Sequence, residues 1–183
     1  MNEYLRKSSH LLFGLLVAGV ILIFPTYHAA MIIGFSLYVG LILIDLCAKE
    51  YQIPIISTII HHMEREGEFP GKGAFFFVFS ALVTLMFFPS VVASVSVAVL
   101  AVLDGFSTII GIRFGKHRIW KKKTLEGFLG GVIITAALLM LISPPQYAII
   151  ISLVAGLVEL FSPVDDNLVI PWVVAMLITF LQQ

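Results

Sequence analysis

Long apolar runs follow one another along this chain, and the charged residues are confined to the breaks between them and to a few helix ends. The runs cover about 11–27, 29–48, 73–89, 90–112, 127–143, 146–162 and 168–181. A transmembrane helix needs roughly 20 predominantly apolar residues. The pattern predicts an all-α fold: a polytopic integral membrane bundle of about seven transmembrane helices, forming one domain over residues 1–183. Pro89-Ser90 and Pro144-Pro145 mark tight turns, because proline does not continue a helix. The first run has no small-residue cleavage site followed by a soluble domain, so it is expected to remain a helix rather than serve as a signal peptide. The last run is short for a full crossing, so it is expected to tilt little, thin the bilayer or lie partly buried.

Composition agrees with that reading. The chain is 60% hydrophobic and 12% charged, against about 25% charged for ordinary soluble domains. Eleven Lys and Arg balance eleven Asp and Glu, leaving no bulk charge to attract nucleic acid. The single cysteine, Cys47, excludes an intramolecular disulfide and a cysteine-based zinc site.

With seven spans, every Lys and Arg falls on one face, in the N-terminal segment and the loops 49–72 and 113–126. The positive-inside bias puts that face in the cytoplasm of a cell-membrane protein. The acidic residues gather at the same face, with Asp45, Asp104 and Glu159 inside helices but toward that end. Orientation explains the basic residues alone. The shared location of acids and bases points to a cytoplasmic binding or catalytic surface.

Asp104 lies about two turns inside the fourth run, where a carboxylate costs roughly 2.5–3.5 kcal/mol on insertion scales. No basic residue stands three or four positions away to offset it. It is either a functional carboxylate or one bonded to a hydroxyl of a neighbouring helix. Asp45 has Lys49 four residues on, the spacing of a simple helical ion pair. Glu159 has no local basic partner and admits both a packing and a functional role.

Two polar blocks stand out. The segment from Gly111 to Gly127 carries Arg113, Lys116, Arg118, Lys121, Lys122 and Lys123. Thr124 is placed to cap the following helix, and Gly127, Gly130 and Gly131 allow close backbone approach. Lysines before a helix N-terminus make an anion site suited to phosphate; a basic loop on anionic lipid headgroups is the other reading. No GxxxxGK[ST] is present, which excludes a P-loop. The second block, Asp165-Asp166-Asn167 before Pro171, starts the last helix, with Pro171 expected in its first turn. One such residue suffices as a cap; three hard-oxygen side chains together suit Mg²⁺ beside a phosphate. The loop with His61, His62, Glu64, Arg65 and Glu66 is less decisive. Arg6, Lys7 and His10 meet headgroup phosphate or mark the membrane boundary.

Asp104, Gly111, Gly115-Lys116-His117, Lys123-Thr124-Leu125-Glu126-Gly127 and Asp165-Asp166-Asn167, with Arg6-Lys7-x-x-His10 and Glu64-Arg65-Glu66, together resemble the dolichol kinase, phytol kinase and CTP-dependent diacylglycerol kinase family over nearly the whole chain. Phe128 departs from it, since a small hydroxyl residue usually follows Glu-Gly there. The resemblance implies an all-helical membrane enzyme that moves the γ-phosphoryl group of CTP, or less commonly ATP, to the hydroxyl of a lipid alcohol with a divalent metal. On that basis Asp104, Asp165 and Asp166 are expected to hold Mg²⁺. Gly115, Lys116, Lys123, Thr124 and Gly127 are expected to hold the nucleotide phosphates. Glu126 and Asn167 are expected to orient this network or join the metal shell, and one carboxylate among Asp104, Glu126 and Asp166 is expected to take the hydroxyl proton. The two polar blocks should then converge on one site. The alternatives are a cytidylyltransferase making a CDP-lipid, and a small ion-coupled transporter using Asp104 and Glu159.

Overall fold

The structure, a computed structural model, describes residues 3–49, 51, 71–121 and 123–182. The sequence features at Glu50, His61, His62, Glu64, Arg65, Glu66 and Lys122 lie outside the described residues. Seven helices are present among those described: α1 (Glu3–Ile23), α2 (Thr26–Ala48), α3 (Lys72–Phe87), α4 (Ser90–Phe114), α5 (Leu125–Leu139), α6 (Pro145–Phe161) and α7 (Asp166–Leu181). A short antiparallel hairpin of β1 (Arg118–Trp120) and β2 (Lys123–Thr124) joins α4 to α5.

The fold is all-helical. By length and composition α1, α2 and α4 can each cross a membrane. The other four helices are apolar but only 15 to 17 residues long. At 1.5 Å per residue they fall short of a bilayer core of about 30 Å when standing upright.

The first two helices divide earlier than the apolar pattern predicts. The chain breaks at Phe24-Pro25 rather than near residue 28. Pro25 has no N–H for a continuing helix and restricts Phe24 to extended backbone. At its other end α1 starts at Glu3, which draws Lys7 and His10 into the helix. Pro89 and Pro144 precede α4 and α6 as expected.

The centre of the molecule is α4, which packs against α1, α5 and α7 and more lightly against α6 and α3. Its sequence suits that position. Ala93, Ser94, Ser96, Ala101, Gly105 and Ser107 are small and buried, so neighbouring backbones come close. Gly14 of α1 sits on Ala101, where an added Cβ would meet the alanine Cβ at 2.5 Å. The Ser94 hydroxyl donates to the Ala18 carbonyl at 2.8 Å, and the Ser80 hydroxyl of α3 donates to the Leu168 carbonyl at 3.0 Å. Such bonds satisfy polar groups that have no water available inside an apolar bundle. By contrast, α2 lies at the periphery, with Ala29 and Ile33 its only fully buried residues among those described.

Candidate functional site

Six of the seven helices contribute to one cleft of about 1040 Å³ at the polar end of the bundle. The antiparallel course of the chain brings the N-terminal ends of α1, α3, α5 and α7 beside the C-terminal ends of α4 and α6. Asp104, Gly115, Lys123, Thr124, Gly127, Asp165, Asp166 and Asn167 all line this cleft. Eight of the ten residues singled out from the sequence are thus brought together. Lys116 and Glu126 are not in its lining.

Three carboxylates form the floor. Asp104 of α4, Glu159 of α6 and Asp166 of α7 each present an oxygen within 4.8 Å of the others. Asp104 and Glu159 are buried, and Asp166 is half-buried. The Asp104 carboxylate accepts hydrogen bonds at both oxygens from Lys7 Nζ, at 2.5 Å each. This partner comes from α1, 97 residues away. His10 Nε2 lies 3.6 Å from Asp104 Oδ2, and its ring packs edge-on against Phe77. Glu159 Oε1 accepts from the Ser107 hydroxyl at 2.8 Å.

Lys123 closes the other side. Its ammonium donates to the Glu159 backbone carbonyl and lies 3.1 Å from Glu159 Oε1 and 3.3 Å from Asp166 Oδ2. The two polar blocks therefore meet, although 43 residues separate Lys123 from Asp166. Burial alone would push the Lys123 pKa down. The carboxylates of Glu159 and Asp166 outweigh it and hold the pKa above the ordinary lysine value.

The hairpin sets the position of Lys123. Arg118 pairs with Thr124 and Trp120 with Lys123, and Lys121 takes a left-handed φ of 51° at the turn. Glu126, expected to orient the site or join a metal shell, instead turns to the loop. Its carboxylate accepts from Lys116 N–H at 3.0 Å, His117 N–H at 3.2 Å and the His117 ring nitrogen at 2.7 Å. The ring bond and these backbone donors lower its pKa to about 2. Glu126 holds the base of the hairpin, and Lys116 is fixed through its backbone.

Thr124 caps α5, accepting from Gly127 N–H at 3.2 Å. Gly127 also permits contact with α4, for a Cβ there would lie 2.5 Å from the Ser107 carbonyl oxygen and 3.0 Å from Gly111 Cα. These glycines let the N-terminus of α5 sit directly on the central helix.

Asp165 is the N-cap of α7, its Oδ1 accepting from Asn167 N–H at 3.1 Å. Burial, then the adjacent Asp166, raises its pKa. It lines the cleft but is not one of the three clustered carboxylates; Glu159 holds that place. Pro171 lies in the second turn of α7 rather than the first, since the helix starts at Asp166. Having no N–H, it leaves the Asn167 carbonyl without its usual i+4 donor. Asn167 is 9% exposed, and its Oδ1 has no hydrogen-bond partner.

The sequence pattern gives Lys7 a headgroup phosphate or the membrane boundary, and does not connect it with Asp104. A signal was present: Lys7, His10, Gly14, Val17 and Ile21 recur at helical spacing. All but His10 are fully buried, so this is the inward stripe of α1.

Fold and site together define a class: an all-helical bundle with helices able to cross a membrane and a cleft of alternating carboxylates and lysines at one end. No family model matches the chain, and no solved structure matches it. It is similar to MJ1137, an uncharacterized protein of Methanocaldococcus jannaschii, at 38% identity over 183 residues, covering 97% of this chain and 93% of the relative. The chain belongs to the same family as that protein.

Proposed function

We propose that the chain is a membrane lipid kinase, transferring the γ-phosphoryl group of a nucleoside triphosphate to the hydroxyl of a lipid alcohol. CTP is the donor implied by the resemblance of the polar blocks, and polyprenol, dolichol, a phytol-like isoprenoid or diacylglycerol is the acceptor class. The observation that carries the reading is the meeting of Lys123 and the α5 N-terminus with Asp104, Glu159 and Asp166 in one cleft. Phosphoryl transfer is mostly positioning and charge neutralisation, and it needs cations, backbone donors and metal-binding oxygens together.

The donor set fits a divalent cation such as Mg²⁺. Asp104, Glu159 and Asp166 would hold it, with the unpartnered Oδ1 of Asn167 as a further hard oxygen. Bound there, the cation would neutralise phosphate oxygens. The chain's own residues do the rest. Lys123 and the N–H groups at the start of α5 receive phosphate. Arg118 and Lys121 line the same cleft and add positive charge, and Arg6 lines it paired with Glu3. Ile112, Phe128 and Leu160 supply apolar lining beside the carboxylates, which suits a hydroxyl carried on an apolar chain. A carboxylate of the trio takes the hydroxyl proton.

Seven crossings, an N-terminus and hairpin in the cytoplasm and a C-terminus outside complete the proposal, since all Lys and Arg then share the inner face. A Lys121→Cys variant in a Cys47→Ser background should resist an impermeant thiol reagent in intact cells; free labelling would overturn this orientation.

The deciding assay uses purified protein, Mg²⁺ and either γ- or α-labelled CTP, with polyprenol, geranylgeraniol, dolichol or diacylglycerol, and ATP as the competing donor. Lipid labelled only from the γ position is the expected result. A parallel reaction offers phosphatidate, a lipid phosphate; label reaching lipid only from the α position, and only with that acceptor, would replace the kinase by a cytidylyltransferase. Ion uptake into liposomes with no lipid turnover would replace it by a transporter.

A further inference from the structure

We propose that Lys7 is a displaceable counter-ion, holding Asp104 closed to metal until a polyphosphate enters with a divalent cation and takes over its ammonium group. The inference rests on the reading of the acidic trio as a cation site and adds a rule for how that site is loaded.

Three observations carry it. First, Lys7 Nζ sits 2.5 Å from both Asp104 oxygens. Divalent metal ligation by these oxygens needs a distance of about 2.0–2.1 Å for Mg²⁺, so the ammonium already fills the space a cation needs. Second, the trio is formally neutralised to one net negative charge by Lys7 and Lys123, with Lys123 on Glu159 and Asp166. A divalent cation added alone would leave excess positive charge in a largely buried place, which is strongly disfavoured at low dielectric. A cation arriving with a polyphosphate brings the compensating negative charge. Third, Asn167 Oδ1 is buried in the cleft lining with no hydrogen-bond partner. A buried oxygen with no protein partner calls for a polar or cationic neighbour, such as a water or an ion, in the cleft.

The geometry also gives the displaced ammonium somewhere to go. Lys7 lines the same cleft as Thr124, Gly127 and Lys121. A lysine is a compact charge on a flexible stem, able to turn from a carboxylate to a phosphate oxygen. Arg6, its neighbour, is held by Glu3 at 2.7 Å, while Arg118 and Lys121 keep positive charge in the lining when Lys7 moves. No covalent bond changes and no proton is transferred; two ion pairs are exchanged for two others.

The test measures binding, not turnover. Protein purified in detergent and stripped of divalent ions is titrated with Mn²⁺, free Mn²⁺ being read by electron paramagnetic resonance. Binding of labelled inorganic triphosphate is followed by equilibrium dialysis with and without Mn²⁺. The wild type should bind Mn²⁺ weakly by itself, and triphosphate should bind only when Mn²⁺ is present. Lys7→Met should bind Mn²⁺ alone about tenfold more tightly or better, and Mn²⁺-triphosphate about tenfold more weakly. Loss of a charge beside the carboxylates raises metal affinity by itself, so the charge-keeping Lys7→Arg variant below tests the displacement. Equal Mn²⁺ affinity in wild type and a folded Lys7→Met overturns the proposal, as does tight Mn²⁺ binding by the wild type without triphosphate.

Lys7→Arg guards against a misfolded Lys7→Met. Its fork should grip Asp104 bidentately and stay there, so triphosphate binding should fall with the fold intact. Wild-type triphosphate binding in Lys7→Arg would overturn the exchange. Failure of the parent reading is separable. Exchange without lipid phosphorylation removes the kinase and leaves the counter-ion; lipid phosphorylation with Mn²⁺ affinity unmoved by Lys7→Met does the reverse.

Discussion

Two Asp–Lys pairs of similar length lie in opposite surroundings. Lys49 Nζ meets Asp45 Oδ2 at 2.7 Å on α2, with side chains 62% and 60% exposed. Lys7 Nζ meets Asp104 Oδ1 at 2.5 Å between α1 and α4, with side chains 9% and 4% exposed. Contact distance therefore says little about what each pair contributes. The outer pair has solvent or headgroups to replace either partner. The inner pair is buried, with His10 a further basic group near Asp104, so without a ligand in the cleft each charge depends mainly on the other. The difference also separates roles, because the outer pair trims a helix end while the inner pair stands in the cleft.

The largest expected effect tests the inner pair directly. Lys7→Ala strands a buried carboxylate, a change that costs about 3–5 kcal/mol in comparable settings. Denaturant unfolding in micelles should show it. The double variant Lys7→Met/Asp104→Leu should recover most of the loss, since apolar residues of similar volume replace buried pairs well. A loss below about 1 kcal/mol would mean that His10, 3.6 Å from Asp104, carries the carboxylate instead, and the contrast between the pairs would collapse.

The same contrast marks what the sequence discloses. Asp45–Lys49 is legible because both ends lie on one helix four residues apart. The Thr124 cap is legible for the same reason. Lys7–Asp104 depends on α1 packing against α4, and no local spacing encodes that contact. Glu126 reaches back nine and ten residues to a loop whose shape only the hairpin fixes. Glu159 became the third clustered carboxylate because α6 ends beside α7; Asp165, next to Asp166 in sequence, turned to the cap. The helices were legible from their apolar runs, and Pro25 moved one boundary because its missing N–H outweighs hydropathy there. The number of full crossings was not, since four of the helices are too short to show it by length alone.

Packing around the cleft gives the next effect. Gly127→Ala puts a methyl against the Ser107 carbonyl oxygen and Gly111 Cα. Both are backbone and cannot swing away, so a loss of about 1–3 kcal/mol is expected from overpacking. Gly19→Ala in α1 is the matched control, with nothing within 4 Å of the added Cβ. It should be neutral or stabilise by up to about 1 kcal/mol through helix propensity. Equal responses at the two glycines would show that α5 does not rest on α4 as closely as the geometry requires.

Thr124→Ala removes the cap on α5 and should cost about 1 kcal/mol, with Thr124→Ser close to wild type. The effect should fall between those of the inner and outer pairs, because a cap satisfies one N–H in a half-buried setting. Thermal unfolding of the three proteins side by side gives the ranking. A Thr124→Ser loss equal to that of Thr124→Ala would assign the effect to methyl packing against Gly115, whose own Cβ position lies 2.7 Å from Thr124 Cγ2, rather than to the hydrogen bond.

The outer pair should respond least, and its response sets the zero of the comparison. Lys49→Ala removes a cation near the C-terminal end of α2, where the helix dipole favours it. Exposed pairs at this spacing are worth only about 0.3–0.5 kcal/mol, because ordering two long side chains offsets much of the attraction. Molar salt should erase even that, since the screening length falls to about 3 Å at 1 M, the scale of the pair itself. The expected result is a loss of about 0.5 kcal/mol or less that vanishes in high salt, while the Lys7→Ala loss persists there. A salt-resistant loss above about 1 kcal/mol at Lys49 would mean that this end of α2 is covered in the folded protein. The two pairs would then differ only in degree, and burial would no longer single out the cleft.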